Sequence, residues 1–497
     1  MATAARLQAR GLRTVVLEAH GLVGGCAGYY RRKGFSFDVG ATTLVDFEPG
    51  GVGGQLLEEV GMESLAGEAL PGYVAWLPDR KVVLHRDVPE WRVERLRALG
   101  SSPAHQAFWR LLDALAETFW KASREGIKAP IRSPRDLANA LDSLGLRHLP
   151  QLRYAHWTVG DALRSFGLRH ERPLVGLLSM LIEDTVHSTV DQAPLLNAAL
   201  GITIRGAGLT RPQGGMRGFW EPFVAQYRRL GGTVKAGWRV DRIEHRGARY
   251  SLITRKGTIS AAQVVSTLPV SLTARIAPTL VGQPLRRYLR RDEEHAGGAI
   301  VVFVGVPEAE VAGEPFTHHQ LLQSYNAPLG NGNNMFVSVS AAGDVDSAPP
   351  EHRAVMVSTH CELSPWEHLD QEAYERRKRA AGARLIAFAR RIYPSLGERP
   401  VIFEIATPRT YERYTRRPRG AVGGVRQTLA NSNQHAVPHE LGPPGFWLAG
   451  DTTWPGLGTV ACVLGSRIVA DGVLRRAERP ERRRAIGSLP TPAMEAA

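Results

Sequence analysis

The chain has 497 residues, which exceeds what a single hydrophobic core normally holds, so we expect two or three lobes. Apolar residues make up 43% and charged residues 22%, as in soluble globular enzymes, and no stretch approaches the roughly 18 uninterrupted apolar residues of a membrane-spanning helix. The formal charge of +14 is scattered along the chain, which argues against a nucleic-acid-binding protein, and three cysteines without C-x-x-C spacing argue against a disulfide framework or a metal site.

The first predicted elements are a helix and a strand typical of a dinucleotide-binding unit. Residues 2–10 predict a helix that ends at Gly11, and the apolar, β-branched residues 14–17 predict a strand that leads to Glu18. In the second strand of such units an acid at this place accepts hydrogen bonds from a ribose. A first strand and a G-x-G-x-x-G loop should precede the helix, and the sequence contains neither. We therefore hypothesise that the natural start lies upstream.

Two glycine-containing stretches follow the strand. Gly24 and Gly25 come six residues after Glu18, and glycines let the backbone approach a ligand closely because no Cβ intervenes. Residues 35–39 (FSFDV) predict a strand with alternating aromatics that leads to a turn at residues 40–42. Such a turn is suited to lie beside the ring system of a cofactor.

The middle of the chain contains a second glycine motif and a series of short strands. Residues 211–216 (RPQGGM) precede an amphipathic helix, which ends at Gly231 and Gly232. Strands are predicted at residues 233–236, 238–243, 250–254, 258–260 and 262–267. We expect a small antiparallel sheet that leads back into a parallel sheet.

The most specific motif lies near the C-terminus. Residues 446–451 (FWLAGD) predict a buried strand that ends in Gly450 and Asp451, and the glycine-rich loop 455–458 then opens an apolar helix at Thr459. The N-terminus of a helix offers free N–H groups and a partial positive charge. This arrangement therefore suits a ligand that carries negative charge.

In this order and at these separations, the motifs resemble the flavin-dependent carotenoid desaturase and isomerase family, which is related to the amine oxidases. The segments that carry the resemblance are GGCAGYYRRKGFSFDVGATTL, PQGGM with its helix, and WLAGDTTWPGLGTVACVLGSRIVA. A further segment, TPRTYERYT at residues 407–415, is most similar to the bacterial carotenoid 3,4-desaturases. Cys26 stands where many members of the family have Arg. The resemblance implies an α/β fold in which an FAD-binding, Rossmann-like domain carries an inserted substrate domain of antiparallel sheet and helices, as in amine oxidases.

The resemblance also implies which residues bind FAD. The assignments are Glu18 and Ala19 at the adenosine ribose, Gly24 and Gly25 along the pyrophosphate and ribityl chain, Val240 at adenine, Gly450 and Asp451 at the ribityl phosphate, and Gly40, Ala41, Thr42, Gly458, Thr459 and Val460 beside the flavin ring.

We expect the FAD-binding domain to be discontinuous and to comprise residues 1–50, 205–275 and 400–475. The substrate domain then comprises residues 51–204 and 276–399, and residues 476–497 form a basic, disordered tail. Residues 102–125 predict an amphipathic helix whose aromatic face either packs in the core or contacts a lipophilic ligand. Glu183, Asp184 and His187 lie in the substrate domain, and the sequence does not single out one of them as a catalytic base.

The reaction that the resemblance implies is FAD-dependent desaturation of a carotenoid, with 3,4-desaturation of a hydroxylated carotenoid as the specific expectation. Carotenoid cis–trans isomerisation, an inactive or truncated flavin-fold protein, and an amine oxidase are the alternatives. We expect a cytoplasmic protein in peripheral contact with the inner face of the membrane, and oxygen or a quinone as the electron acceptor.

Overall fold

Fourteen α-helices and nineteen strands occupy the residues that the computed structural model describes, 1–63 and 65–487. The helices, numbered in chain order, are α1 Ala2–Ala9, α2 Val52–Glu59, α3 Val88–Leu99, α4 Pro103–Glu125, α5 Pro134–Leu144, α6 Val159–Ser165, α7 Arg172–Val186, α8 Leu195–Ile202, α9 Met216–Arg229, α10 Val270–Ile276, α11 Gln283–Asp292, α12 Gln371–Ala389, α13 Pro408–Thr415 and α14 Thr459–Gly487. The strands are β1 Val15–Glu18, β2 Tyr29–Arg32, β3 Phe35–Asp38, β4 Leu44–Val45, β5 Gly67–Ala69, β6 Gly72–Trp76, β7 Lys81–His85, β8 Leu209–Pro212, β9 Thr233–Ala236, β10 Val240–Arg246, β11 Arg249–Thr254, β12 Gly257–Ala261, β13 Val264–Ser266, β14 Gly298–Pro307, β15 His318–Leu322, β16 Asn334–Val339, β17 His352–Cys361, β18 Ile402–Ala406 and β19 Phe446–Leu448.

The N-terminal elements match the sequence prediction. α1 buries Ala5 and Leu7 and packs against α14, and β1 ends at Glu18. β1 pairs in parallel with β9, and a second parallel pair joins β13 and β19. The predicted place of residues 233–236 in an antiparallel sheet is therefore wrong. β9 follows helix α9, and a helical crossover returns the chain in the direction that gives parallel pairing.

The remaining strands of the middle block form the predicted antiparallel sheet. β10, β11 and β12 pair as two consecutive hairpins. The first hairpin turns at Gly247, whose φ of +58° is easily adopted by glycine. α9 ends at Arg229, just before the glycine pair that was expected to stop it.

A seven-stranded sheet dominates the predicted substrate domain. Its strand order is β18, β14, β17, β16, β15, β6 and β7, and the neighbours are antiparallel apart from β15 with β6. β14 is buried along nearly its whole length, which explains its continuous run of apolar residues. β18 pairs with β14, so residues 402–406 join this sheet although they fall in the last segment of the predicted cofactor domain, residues 400–475.

A group of helices between α3 and α8 covers a large apolar core. α4 confirms the helix predicted at residues 102–125, with Ser102 as its N-cap. Phe108 and Trp109 on this helix are at most 1% exposed, whereas Phe119 and Trp120 are only partly buried. The aromatic face therefore divides into a core half and a half that contacts open space.

The C-terminal helix α14 is longer than the sequence pattern predicts. Disorder is expected from residue 476, and this expectation is wrong for residues 476–487, which are helical. Arg, Ala and Glu are strong helix formers, and they continue the helix beyond its apolar part. Residues 488–497 of the expected tail lie outside the described residues. No helix in the part of the chain that the structure describes is long and apolar enough to cross a membrane.

Candidate functional site

A cavity of about 3290 Å³ is lined by elements of both predicted domains. Pockets for drug-sized ligands typically have volumes of about 300–1,000 Å³. The cavity therefore has room for two large organic molecules at the same time. Its walls include β1, the loops after β3 and β19, the start of α14, and parts of α4, α7, α8 and β15–β17.

Every residue that the sequence analysis assigns to FAD lines this cavity. These residues are Glu18, Ala19, Gly24, Gly25, Gly40, Ala41, Thr42, Val240, Gly450, Asp451, Gly458, Thr459 and Val460. The fold thus brings together four segments that are far apart in the chain.

The wall beside β1 is formed by Glu18 and the glycine pair. The Glu18 Oε1 atom accepts a hydrogen bond from the His20 N–H at 2.8 Å, which orients the carboxylate at the strand end. Gly24 has a φ of +117°, and a Cβ there would lie 2.7 Å from the Cα of Gly28, so a side chain does not fit. Gly25 has open space where a Cβ would stand, which leaves its backbone accessible to a ligand.

The start of β10 lies against the end of β1. The Trp238 N–H donates a hydrogen bond to the Glu18 carbonyl at 2.8 Å. Val240 follows two residues later and is half-buried in the cavity wall. This contact explains how Val240 and Glu18 reach the same end of the cavity.

The loop at residues 40–42 is held by a buried ion pair. Arg211 Nη1 donates to Asp38 Oδ2 at 3.1 Å and to the Thr42 carbonyl at 3.3 Å, and Asp38 Oδ1 accepts from the Met216 N–H at 2.6 Å. Burial raises the pKa of Asp38, and the Arg211 charge opposes this shift. The RPQGGM motif therefore anchors the loop through Arg211, a role that the sequence analysis missed.

The loop between β19 and α14 presents glycine backbone to the cavity. Gly450 and Gly458 have φ values of +106° and +101°, a region that other residues rarely adopt. No atom lies within 4 Å of the position that a Cβ would take at Gly458. α14 begins at the next residue, and its first N–H groups have no partner within the helix. The open glycine and the helix N-terminus together suit a flat ligand that develops negative charge.

An ion pair and two thiols complete this wall. Arg417 Nη2 lies 2.5 Å from Asp451 Oδ2, and each side chain is 13% exposed. Arg417 has no counterpart in the sequence prediction because nothing in its local pattern links it to Asp451. Burial raises the pKa of Cys462 to about 12 and also raises the pKa of Cys26, so both are neutral thiols near neutral pH.

The other part of the cavity has apolar walls. The side chains that line it include Phe119, Trp120, Met180, Leu196, Leu200, Ile204, Met335 and Phe336. They come from α4, α7, α8, β16 and the turn after α8. A long hydrocarbon would displace water from such a surface with a gain in free energy.

One face of α7 adds polar groups to this apolar chamber. Met180 and Asp184 are four residues apart on α7, so they lie on the same side of the helix, and His187 follows directly after the end of the helix. All three residues line the cavity. Glu183 does not line the cavity; it accepts a hydrogen bond from Asn334 Nδ2 and lies 3.7 Å from His360 Nδ1. Of the two adjacent acids, only Asp184 therefore faces the cavity.

The protonation states of this cluster follow from its contacts. Burial alone would lower the pKa of His360, but the Glu183 and Asp184 carboxylates raise it above its usual value. Burial, reinforced by the charge of His360, holds the pKa of His187 well below its usual value, and the two rings are 4.3 Å apart. Burial raises the pKa of Glu183, but the charge and hydrogen bond of His360 together with the hydrogen bond from Asn334 and the charge of Arg426 outweigh it, so the net shift is downward. The cluster thus combines a charged Glu183–His360 pair with a neutral His187.

Comparison with known proteins identifies the family. Residues 1–474 match the family of flavin containing amine oxidoreductases. The chain belongs to this family. It is a flavin-dependent oxidoreductase, and the open glycines and the helix N-terminus on the cavity wall fit a flavin.

Individual relatives support the same assignment. The prolycopene isomerase of Daucus carota chloroplasts is 22% identical over 503 residues, which cover 95% of this chain and 78% of the relative. The 4,4'-diapophytoene desaturase (4,4'-diaponeurosporene-forming) of Staphylococcus aureus (strain COL) is 20% identical over 515 residues, which cover 96% of this chain and 97% of the relative. These matches confirm the resemblance to the carotenoid desaturase and isomerase family.

Solved structures confirm the amine-oxidase-like fold. An oxidoreductase from Methanosarcina mazei superposes with a TM-score of 0.62 at 16% identity and covers 95% of this chain and 97% of its own. At this identity the similarity concerns the fold. The predicted α/β architecture with a cofactor domain and an inserted substrate domain is of this type.

Proposed function

We propose that the protein is an FAD-dependent carotenoid desaturase that oxidises the 3,4-bond of a hydroxylated carotenoid. The observation that carries the proposal is the cavity of about 3290 Å³, and the choice of the 3,4-bond is based on the resemblance of residues 407–415 to the bacterial carotenoid 3,4-desaturases. The cavity joins the glycine-lined wall, which fits a flavin, to an apolar chamber with one cavity-facing carboxyl on α7. When bound, FAD supplies the two-electron oxidation by accepting a hydride from a substrate carbon.

Different residues of the glycine-lined wall would bind different parts of FAD. Glu18 would accept hydrogen bonds from the adenosine ribose, and Val240 would pack against adenine. Gly24 and Gly25 would let the backbone approach the pyrophosphate and the ribityl chain. Gly450 and Asp451 would contact the ribityl phosphate. Residues 40–42 and 458–460 would border the flavin ring, where the N-terminus of α14 favours negative charge on it.

The apolar chamber would orient the polyene and exclude water. Phe119 and Trp120 on α4 and Phe336 on β16 offer flat aromatic surfaces to a conjugated chain. A dry site also keeps the reacting carbons away from competing nucleophiles. Phe119 and Trp120, which lie outside the core, would thus contact the substrate.

Carotenoid isomerisation is the second candidate. The prolycopene isomerase relative aligns over 95% of the chain, and the desaturase relative aligns over 96%. An isomerase would use the same cavity without net oxidation of the substrate. A flavin-fold protein without activity would bind pigment and leave it unchanged.

Product mass separates these candidates. Flavin-loaded protein is mixed with a hydroxylated carotenoid in detergent micelles, with oxygen or a quinone as acceptor. We expect a product that is two hydrogens lighter and absorbs at longer wavelength, because a new double bond extends the conjugation. A product of unchanged mass with altered double-bond geometry would establish the isomerase, and unchanged pigment would contradict both activities.

We also propose that the protein contacts the membrane and takes its substrate there. Leu146 is 78% exposed and lies between α5 and the cavity-lining Leu152. Arg147 and Arg153 lie in the same short 3-10 helix, Leu146–Tyr154, and are exposed. Exposed leucines next to arginines are typical of surfaces that bind anionic lipid headgroups and insert shallowly.

A further inference from the structure

Asp184 contributes a carboxyl group to the wall of the apolar chamber. Protein surrounds this side chain, yet its surface is open to the cavity. Asp184 lies in the last turn of α7, one helical turn after Met180. A carboxyl that faces an apolar chamber is costly to keep without a role.

One hydrogen bond orients this carboxyl. Gln320 Nε2 donates to Asp184 Oδ2 at 3.1 Å, and Gln320 itself is 3% exposed on β15. Within the described residues, Gln320 is the only side chain that forms a hydrogen bond with Asp184. Oδ1 therefore remains available to a ligand in the cavity.

Several charged or titratable groups surround Asp184 without forming an ion pair with it. His360 on β17 and Arg205 after α8 favour its ionised form, whereas Glu183 on its own helix disfavours it. Tyr73 on β6 is close enough for the Asp184 charge to act on its hydroxyl. Burial is the largest influence, and the net result raises the pKa of Asp184 above its usual value. A raised pKa makes the carboxylate a stronger base.

Hydrogen bonds connect the surroundings of Asp184 to both loops that border the proposed flavin ring. On one side, the Gln427 N–H donates to the Val186 carbonyl at 3.1 Å, and Gln427 Nε2 donates to the Pro455 carbonyl at 3.2 Å. On the other side, Tyr73 OH and Thr43 Oγ1 are 3.1 Å apart. These contacts connect α7 to the loop before α14 and β6 to the loop after Thr42.

We propose that Asp184 is the catalytic base that accepts the proton from the substrate. The proposal rests on the desaturase function. In the desaturation, Asp184 Oδ1 would take a proton from one carbon of the substrate, while bound FAD would supply the oxidation by accepting a hydride from the neighbouring carbon. The electrons of the C–H bond that loses the proton form the new double bond. Asp184 leaves this step as a carboxylic acid and returns its proton to water.

The Asp184→Asn variant tests this role because it keeps the shape and the oxygen that accepts from Gln320. Three quantities are measured on flavin-loaded protein: the visible spectrum of the flavin, the quenching of flavin fluorescence by added carotenoid, and the anaerobic rate of flavin bleaching from pH 5 to 9. Glu183→Gln is the matched control, since it removes a carboxylate from the adjacent position, which does not face the cavity.

We expect Asp184→Asn to bind flavin and carotenoid like the unmodified protein and to bleach its flavin about 100-fold more slowly or worse. The bleaching rate of the unmodified protein should rise with pH through the raised pKa of Asp184, because the base must be ionised. This pH-dependent rise should persist in Glu183→Gln, displaced in pH because the Glu183 charge acts on the pKa of Asp184, and should vanish in Asp184→Asn. A variant Asp184→Asn that bleaches within about tenfold of the unmodified rate, with the same pH step, would overturn the role while the desaturase function stood. Failure of the unmodified protein to bleach with any carotenoid it binds would overturn the function and this role together.

Discussion

The two ends of the cavity differ in whether backbone or side chains form the wall. The cofactor end uses backbone from four distant segments, with glycines at positive φ and a helix N-terminus. The substrate end uses side chains, which are apolar apart from the cluster on α7 and the facing strands. The difference shows that the cofactor end depends on backbone shape, whereas the substrate end depends on which side chains meet across α7, β15 and β17.

The buried pair of Arg211 and Asp38 gives the largest expected effect at the cofactor end. Arg211→Met leaves a buried carboxylate without its charged partner, which typically costs about 3–5 kcal/mol. It also frees the loop at residues 40–42, so we expect flavin to bind at least about tenfold more weakly. Thermal unfolding and flavin titration measure the two effects separately.

Arg95→Met is the matched control for this variant. Arg95 is 4% exposed and donates two hydrogen bonds to Asp113, but neither residue lines the cavity. We expect it to lose less stability than Arg211→Met, because Asp113 is 20% exposed and keeps Arg92 as a partner, and to keep its flavin affinity. Equal flavin affinity in both variants would show that the loop held by Arg211 does not bind the cofactor.

A smaller effect is expected from a single methyl group at the start of α14. Gly458→Ala places a Cβ in the open space of the cavity and strains a backbone with a φ of +101°. Gly313→Ala is the control, because Gly313 has a φ of +95° and open surroundings but does not line the cavity. Both should lose about 1–3 kcal/mol of stability to strain. Only Gly458→Ala should weaken flavin binding, by about tenfold or more, and an equal weakening in both would contradict the assignment of this loop.

The smallest expected effect concerns the surface near the substrate end. Leu146→Ser should weaken sedimentation with anionic lipid vesicles about fivefold, since a partly inserted leucine contributes about 1 kcal/mol. Val93→Ser on α3 is the control, because Val93 is 70% exposed and lies outside the cavity wall. Neutral vesicles should bind the unmodified protein more weakly than anionic ones. The same loss of vesicle binding in both variants, or no preference for anionic lipid, would show that the segment around Leu146 does not bind the membrane.

The contrast between the two ends also determines what the sequence can predict. Glu18, Gly25 and Gly458 are recognisable because each belongs to a local pattern within one short segment: a strand end followed by a glycine pair for the first two, and a glycine-rich loop before a helix for Gly458. Arg417 and Asp184 are not, since their roles depend on partners on other elements, Asp451 and Gln320. The placement of these residues at the FAD stays a prediction.

The errors at the level of the fold have similar causes. The pattern at residues 233–236 indicates a strand but not its partner, and the partner is fixed by the α9 crossover. β18 follows the predicted boundary at residue 400 and still joins the substrate sheet through β14. The charge of the segment after residue 475 says little about whether it forms a helix.

The central claim is that one cavity holds flavin and carotenoid so that the first oxidises the second. The most direct measurement is an anaerobic titration of flavin-loaded protein with hydroxylated carotenoid, in which flavin bleaching and the desaturated product are quantified together. We predict one molecule of product, two hydrogens lighter, for each flavin bleached. Carotenoid that binds at saturation while the flavin stays oxidised and the pigment keeps its mass would contradict the claim.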